Sequence, residues 1–382
     1  MTIITTNEDL AHFCARQAEA DYLTLDTEFL RDSTYWPKLC LIQIGGPDDA
    51  AAIDTLAPNI DLEPVIALFD NPKILKVLHS GRQDMEIFFN LTGRLPNPVF
   101  DTQVAAMVCG FGESVGYDTL ARRLTGARID KTSRFTDWAR RPLNNKQLSY
   151  ALADVTYLRP IYESLKKSLD KSGRSSWLEE EMAVLTSTET YRLDPENAWR
   201  RLKTRSNDRR YLAVLQGLAA WREAEAQRRN VPRNRVLRDE QLFDIASHPP
   251  KTAEELAKSR GISGDMAKGR IGSALLEVVE QALAKPRSEQ PQVPERKVLP
   301  NGLGPLIDLL KVLLKAKCEE TNVAQKLIAN TADLELIAAE DSADVAALNG
   351  WRYEIFGKDA LRLKKGEIAL ASQGSKVNIV EL

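Results

Sequence analysis

The sequence predicts an α/β domain at the start of the chain and two all-helical domains after it. Residues 1–170 alternate short apolar runs with segments of helical periodicity, which is typical of an α/β fold. Residues 207–286 and 303–382 show helical periodicity alone. A polar stretch that contains prolines, 287–302, lies between these two regions and predicts a linker. Because 382 residues are too many for one compact core, several domains are expected.

Five strands are predicted in the first domain. Residues 22–29, 38–44 and 50–54 follow one another closely, which predicts hairpins and antiparallel pairing at one side of a sheet. Two later strands, 74–79 and 98–101, alternate with helical segments, as βαβ crossovers do. These elements assign 1–170 to an α/β domain.

A long helix is predicted to begin near residue 144. Asn144 and Gln147 have the spacing of a capping box, in which each satisfies a backbone donor of the other. The apolar pattern continues through Leu158, and Pro160 is expected to bend or divide the helix. Residues 171–206 are predicted to be a connecting helical segment.

The two helical domains share a faint sequence rhythm. NVPRNRVLRDEQLFDIA at 230–246 parallels NVAQKLIANTADLELIA at 322–338, 92 residues later. Helical sequences can acquire such likeness by chance, so an internal duplication is a hypothesis at this stage.

The composition bounds the class of protein. A net charge of −2 does not identify a nucleic-acid binder, so local charge has to be considered instead. The four cysteines are far apart and form no CxxC pair, which favours a reducing, cytoplasmic location over a disulfide framework or a thiolate zinc site. No apolar run approaches the length that spans a membrane. No obligatory protein partner is evident.

Acidic residues in three short stretches predict the chemistry. Asp26 and Glu28 lie two positions apart on a predicted strand and therefore project from the same face. Tyr150 and Asp154 lie four apart on a predicted helix and share a face as well. Asp84 follows a strand and a glycine turn. Any one of these patterns is common on a solvated surface, but their conjunction on apolar elements predicts a shared site.

Converging carboxylates usually bind cations, because an isolated buried carboxylate is costly. Two divalent ions, Mg²⁺ or Mn²⁺, would suit this set of hard oxygen ligands and would support hydrolysis of a phosphodiester. Asp26 and Asp154 are expected to bind metal directly, with Glu28 completing the water-activating site and Asp84 supporting the second ion. Tyr150 is expected to orient the attacking water, since a phenol is a poor base at neutral pH.

The three stretches resemble the Exo I, Exo II and Exo III motifs of DEDD-superfamily 3′→5′ exonucleases, in the subclass that has YxxxD in place of HxxxD. Longer segments are similar to bacterial ribonuclease D, namely LDTEFLRDSTYWPKLCLIQIG, FDTQVAAMVCGFGESVGYDTLA and DKTSRFTDWARRPLNNKQLSYALADVTYL. The resemblance implies an RNase H-like fold for 1–170. It also implies processing of RNA 3′ ends, notably of tRNA precursors, with Asp26, Glu28, Asp84 and Asp154 as metal ligands and Tyr150 as a catalytic residue.

The segment RRYLAVLQGLAAWREAEAQRRNVPRNRVLRDEQLFDIA resembles an HRDC domain, which implies nucleic-acid binding for 207–286. Residues 303–382 look like a second and more divergent copy. Arginines suit phosphate contacts, and aromatic rings suit stacking on unpaired bases. The residues expected to contact RNA are Tyr35, Trp36, Lys131, Arg134, Arg209, Arg210, Arg228, Arg229, Arg233 and Arg235.

The leading interpretation is an exoribonuclease that trims 3′-tailed RNA and releases nucleoside 5′-monophosphates. A 3′→5′ DNA exonuclease is a neighbouring alternative, although the chain has no GxxxxGK[ST] motif of a fused helicase. The other alternative is a non-catalytic RNA-binding protein built on the helical domains, which would require a loss of carboxylates that the sequence does not show.

Overall fold

A computed structural model describes residues 2–204, 206–292 and 299–382 of the chain. It consists of two compact units. The first comprises the described residues of Met1–Glu28, Cys40–Thr190 and Lys297–Leu382, and the second those of Phe29–Leu39 and Tyr191–Arg296. Part of the predicted linker, 293–298, lies outside the described residues. Within the described part of the chain, none of the helices combines the length and apolar character needed to cross a membrane.

A six-stranded sheet forms the centre of the first unit. Its strands are β1 (Thr2–Ile4), β2 (Tyr22–Leu30), β3 (Lys38–Gly45), β4 (Ala50–Asp54), β5 (Leu75–Leu78) and β6 (Val99–Asp101), in the spatial order β1-β4-β3-β2-β5-β6. β3 and β4 pair antiparallel, while β5 runs parallel to both β2 and β6. The predicted hairpin and crossovers are thereby confirmed. β1 was not predicted, because three residues are too few to show alternation.

Helices surround this sheet. They are α1 (Asn7–Gln17), α2 (Glu63–Asp70), α3 (Arg82–Thr92), α4 (Thr102–Val108), α5 (Tyr117–Thr125), α6 (Asn145–Thr156), α7 (Leu158–Ser172) and α8 (Glu179–Leu185). The predicted capping box is present at the start of α6, where the backbone N–H groups of Asn144 and Gln147 each donate to the side chain of the other. Pro160 has no N–H for the Thr156 carbonyl, and the helix is divided at Tyr157 as predicted.

The second unit is helical and includes the loop that follows β2. Its helices are α9 (Arg209–Arg229), α10 (Arg233–Val236), α11 (Asp239–Ser247), α12 (Ala253–Leu256), α13 (Gly264–Lys268) and α14 (Arg270–Ala284). Leu212, Leu215 and Leu218 of α9 are fully buried and form the centre of its core.

The C-terminal segment returns to the first unit. It contains α15 (Gly304–Thr321), α16 (Gln325–Ile328), α17 (Thr331–Ala339), α18 (Gly350–Arg352), α19 (Lys358–Lys365), β7 (Ile368–Gln373) and β8 (Lys376–Glu381). β7 and β8 form an antiparallel hairpin. The prediction that 303–382 is all-helical was therefore wrong for its end, where Gly374 at φ 62° permits the tight turn.

This segment shares one core with the sheet domain. The N–H of Ala324 donates to the carbonyl of Met107 at 3.0 Å. The ring of Trp351 stacks on that of Trp177 with centroids 4.4 Å apart. The buried guanidinium of Arg352 donates to the carboxylates of Glu180 and Glu181. The predicted third domain is therefore a part of the first compact unit.

Candidate active site

The central strand β2 carries two of the predicted site residues. Its apolar residues Leu23 and Leu25 are buried in the core, while Asp26 and Glu28 project together near the end of the strand. β2 lies between β3 and β5 in the sheet, and its residues Tyr22–Thr24 pair with β5. The two carboxylates are therefore carried by an inner strand of the sheet.

Helix α6 supplies two further residues of the site. Tyr150 and Asp154 lie one turn apart, and the Tyr150 hydroxyl donates a hydrogen bond to the Asp154 carboxylate. Carboxylate oxygens of Asp26, Glu28 and Asp154 lie within 4.8 Å of one another. The structure thus brings together the carboxylates that the sequence places 126 to 128 positions apart (154 − 28 and 154 − 26).

Asp84 lies in the first turn of α3 and is also buried. It is outside the group that lies within 4.8 Å, but its charge raises the pKa of both Asp26 and Glu28. The hydroxyl of Thr27 donates to one oxygen of Asp84. Asp84 is therefore held beside the other three carboxylates by the strand that carries two of them.

Burial dominates the electrostatics of this group. It raises the pKa of Asp154 to about 7 and that of Asp84 to about 6. Burial, followed by the charges of Asp154 and Asp84, raises the pKa of Glu28 to about 9. Asp26 has its pKa raised well above the usual range, again by burial first and then by the neighbouring carboxylates. Loss of a proton from Asp26 and from Glu28 is therefore opposed by the charges of Asp84 and Asp154.

The donor set fits a divalent cation. Four carboxyl groups converge, and the guanidinium of Arg134, which lowers the pKa of Glu28 and Asp154, supplies one positive charge against them. Hard carboxylate oxygens are the ligands that Mg²⁺ and Mn²⁺ prefer. A bound cation would offset the repulsion between carboxylates that contributes to the raised pKa values of Asp26 and Glu28.

Tyr150 is suited to donate a hydrogen bond. Burial and the charge of Asp154 raise its pKa above the usual value, so the hydroxyl stays protonated at neutral pH. Its ring lies 6.2 Å from that of Trp138, which is 2% exposed. Trp138 therefore anchors the loop before α6.

The residues expected to contact RNA have different surroundings. Arg134, Arg210, Arg229 and Arg235 are exposed. Lys131 forms an ion pair with Asp118 at 2.6 Å, and Arg209 donates to the carbonyl of Arg287 at 3.4 Å. Arg228 donates two hydrogen bonds to Glu225, although its side chain remains 61% exposed.

Tyr35 and Arg233 have structural partners instead. Tyr35 is 6% exposed, and its hydroxyl donates to the buried carboxylate of Glu223. Arg233 donates to the same carboxylate at 2.6 Å and lies over the Tyr35 ring. The backbone N–H groups of Tyr35 and Trp36 donate to the side chain of Asn230. The expectation that Tyr35 stacks on a base is corrected here, since its ring is covered inside the second unit.

Two supporting residues were missed at the sequence level. Thr27 orients Asp84 through its hydroxyl. Its position between Asp26 and Glu28 in the sequence is the signal that could have identified it. Asp101 is the N-cap of α4 and also accepts hydrogen bonds from the N–H groups of Ser80 and Gly81. It therefore fixes the turn that leads into α3 and so the position of Asp84. The hydrogen bond between Gly81 and Asp101 joins residues 20 positions apart, so no local sequence pattern predicts it.

Known proteins match this chain over nearly its full length. A family model for 3′-5′ exonuclease matches residues 1–170, and a model for the HRDC domain matches residues 211–279. Ribonuclease D of Jannaschia sp. (strain CCS1) is 54% identical over 99% of this chain and 99% of its own length. The chain belongs to the ribonuclease D family. Ribonuclease D of Granulibacter bethesdensis is 51% identical over 99% of this chain and 96% of its own.

A solved ribonuclease D structure has the same architecture. Escherichia coli RNase D, described as an exoribonuclease involved in structured RNA processing, is 31% identical, with a TM-score of 0.80 over 96% of this chain and 98% of that one. As a family member, the present chain is a 3′-5′ exoribonuclease that acts on RNA. The predicted RNase H-like exonuclease domain and an HRDC domain are confirmed.

Proposed function

We propose that this enzyme trims the 3′ ends of structured RNAs, chiefly tRNA precursors, by two-metal-ion hydrolysis that releases nucleoside 5′-monophosphates. The convergence of the oxygens of Asp26, Glu28 and Asp154 within 4.8 Å, with Asp84 beside them, carries the proposal. Such a cluster can hold divalent cations, which would neutralise the negative charge of a phosphodiester so that a nucleophile can approach it.

The proposal gives each residue a role. Asp26, Glu28, Asp84 and Asp154 hold two divalent cations, Mg²⁺ or Mn²⁺. When bound, these ions supply a water of lowered pKa and neutralise the charge on the leaving 3′ oxygen. Tyr150 keeps its proton and donates a hydrogen bond to Asp154, which fixes the phenol in place, and its hydroxyl oxygen accepts a hydrogen bond from the attacking water and so orients it. The buried carboxylates hold the reacting groups on rigid elements.

The helical parts are proposed to hold the body of the RNA. Arg210, Arg228, Arg229 and Arg235 of the second unit are exposed and suited to phosphate contacts. Near the acidic cluster, Arg134 and Lys131 are exposed as well. Trp36 is half-buried and is also proposed to contact the RNA. A cytoplasmic location remains a prediction from the sequence.

The domain boundaries are also proposals, including a second HRDC-like copy in 303–382. One observation supports that copy. α9 ends at residue 229 and is capped by Asn230 in the left-handed region, while α15 ends at 321 and is capped by Asn322 in the same conformation, 92 residues later. α10 and α11 recur as α16 and α17 at the same offset, from 233–236 to 325–328 and from 239–247 to 331–339.

Trimming of tRNA transcripts tests the proposed function. Transcripts with 3′ extensions of graded length are digested with Mg²⁺ or Mn²⁺ and resolved at single-nucleotide steps. We expect stepwise loss of 5′-monophosphates that stops near the structured body, and no trimming in EDTA. Asp26→Asn should abolish trimming while RNA binding persists. Asp21→Asn is the matched control, since Asp21 is exposed just before the same strand. Full activity of Asp26→Asn would contradict the assignment of the site.

A further inference from the structure

Among the residues that the structure describes, Phe135 is the most exposed large apolar side chain, at 90% of its surface. Burying an aromatic ring is worth a few kcal/mol, so an exposed ring can contribute that free energy when a ligand covers it. The sequence alone does not distinguish Phe135 from its neighbours in the stretch SRFTDW.

The segment that presents this ring is well anchored. On either side, Ser133 and Trp138 are buried at 5% and 2% exposure. The hydroxyl of Thr136 donates to the Ser133 carbonyl at 2.8 Å and accepts from the Gln147 side chain at 3.2 Å. The chain is thus pinned on both sides of Phe135 while its ring projects into solvent. Fixed backbone with an outward ring indicates a preorganised contact surface.

This surface lies beside the carboxylate cluster. The neighbouring residue Arg134 is near enough for its charge to lower the pKa of Glu28 and Asp154. Gln147, which holds Thr136, is one turn before Tyr150 on α6. The guanidinium of Arg134 lies 5.1 Å from the centre of the Phe135 ring, so a cation and an aromatic face are presented together.

We propose that Phe135 is a positioning residue that stacks on an unpaired base of the RNA 3′ tail as the tail approaches the acidic cluster. This inference rests on the proposed trimming of single-stranded tails. Every base has a π-face, so stacking holds a tail of any sequence, while a base-paired end has no free face to offer. The adjacent Arg134 suits the phosphate that accompanies the stacked base.

The test is a cycle that combines changes in the enzyme and in the RNA. Trimming of tailed transcripts is measured for the wild-type enzyme and for Phe135→Ala, Phe135→Leu and Phe135→Trp. Each enzyme is given a normal tail and tails with one abasic nucleotide at successive positions from the 3′ end. Leu91→Ala is the control, since Leu91 is 50% exposed at the end of α3 away from Asp84.

On normal tails, Phe135→Ala should lower kcat/KM about 10-fold, mainly through KM, while Phe135→Trp retains activity and Phe135→Leu does not. At the abasic position that removes the stacked base, wild type and Phe135→Ala should become equal. Leu91→Ala should behave as wild type throughout.

Equal losses for Phe135→Ala on normal and abasic tails would overturn the stacking role, and so would unchanged activity on both or full rescue by leucine. A wild-type enzyme that trims no tailed RNA would instead overturn the proposed function itself. The two failures are therefore distinguishable.

Discussion

Removing one charge from the acidic cluster should stabilise the metal-free enzyme even though it destroys the site. Asp154→Asn is the suitable change, because burial raises the pKa of Asp154 to about 7. The usual value is about 3.9, and the unfolded chain has that value. A group whose pKa is raised on folding favours the folded state only at low pH, and that advantage is lost as the pH rises through its folded pKa.

The magnitude follows from these two values. At pH 8, ionising Asp154 in the folded protein costs about 4 kcal/mol relative to the unfolded chain, and at pH 5 roughly 1–2 kcal/mol. The substitution also weakens the hydrogen bond from Tyr150, at a cost of about 1 kcal/mol. The expected net gain is therefore about 3 kcal/mol at pH 8 and close to zero at pH 5.

Thermal melts in EDTA at pH 5 and pH 8 measure this effect. Asp154→Asn should melt at least about 5 °C above wild type at pH 8, since 1 kcal/mol shifts the melting temperature by roughly 2–4 °C in domains of this size. Asp170→Asn is the control, because the exposed Asp170 pairs with Lys166 and its pKa is lowered by that bond. It should melt at the wild-type temperature or slightly below. If Asp154→Asn melts at or below wild type at pH 8, the carboxylates do not form a desolvated, repulsive group.

Three further outcomes are expected. Mn²⁺ at about 100 times its dissociation constant should stabilise the wild-type enzyme by about 2.7 kcal/mol and raise its melting temperature. This rise should be absent from Asp26→Asn. An equal rise in both proteins would indicate that the ion binds elsewhere. Tyr150→Phe should lower kcat about 100-fold with little change in RNA affinity. Tyr157→Phe, which alters a more exposed tyrosine of the same region, should not lower kcat. Similar kcat values for the wild-type enzyme and both variants would exclude Tyr150 from catalysis. Arg352→Met should destabilise the first unit by about 2–4 kcal/mol in denaturant melts, and an unchanged midpoint would show that its buried hydrogen bonds contribute nothing.

Local and periodic features were predictable from the sequence. The capping box at Asn144 and the break near Pro160 depend only on neighbouring residues, so they were found where expected. The same is true of Asp26 and Glu28, whose common face follows from strand geometry. The contact between β2 and α6 could be predicted because three motifs, although far apart in the chain, together indicate one shared site.

Features that depend on distant partners were not predictable. Tyr35 looks like an RNA contact in isolation, but its hydroxyl meets Glu223, which lies 188 residues away. Arg233 is drawn to the same buried carboxylate, since a buried charge requires a partner. The exposure of Phe135 was not predictable either, because it depends on distant residues leaving the ring uncovered in the folded chain.

The division of the first unit along the chain has a consequence for synthesis. Its core needs Leu310, Leu313 and Ile337, which leave the ribosome long after β6. A nascent chain therefore exposes the apolar surface of its nuclease half until residues 303–368 have been synthesised. A product that terminates before this segment would keep that surface uncovered and would be a target for chaperones and proteases.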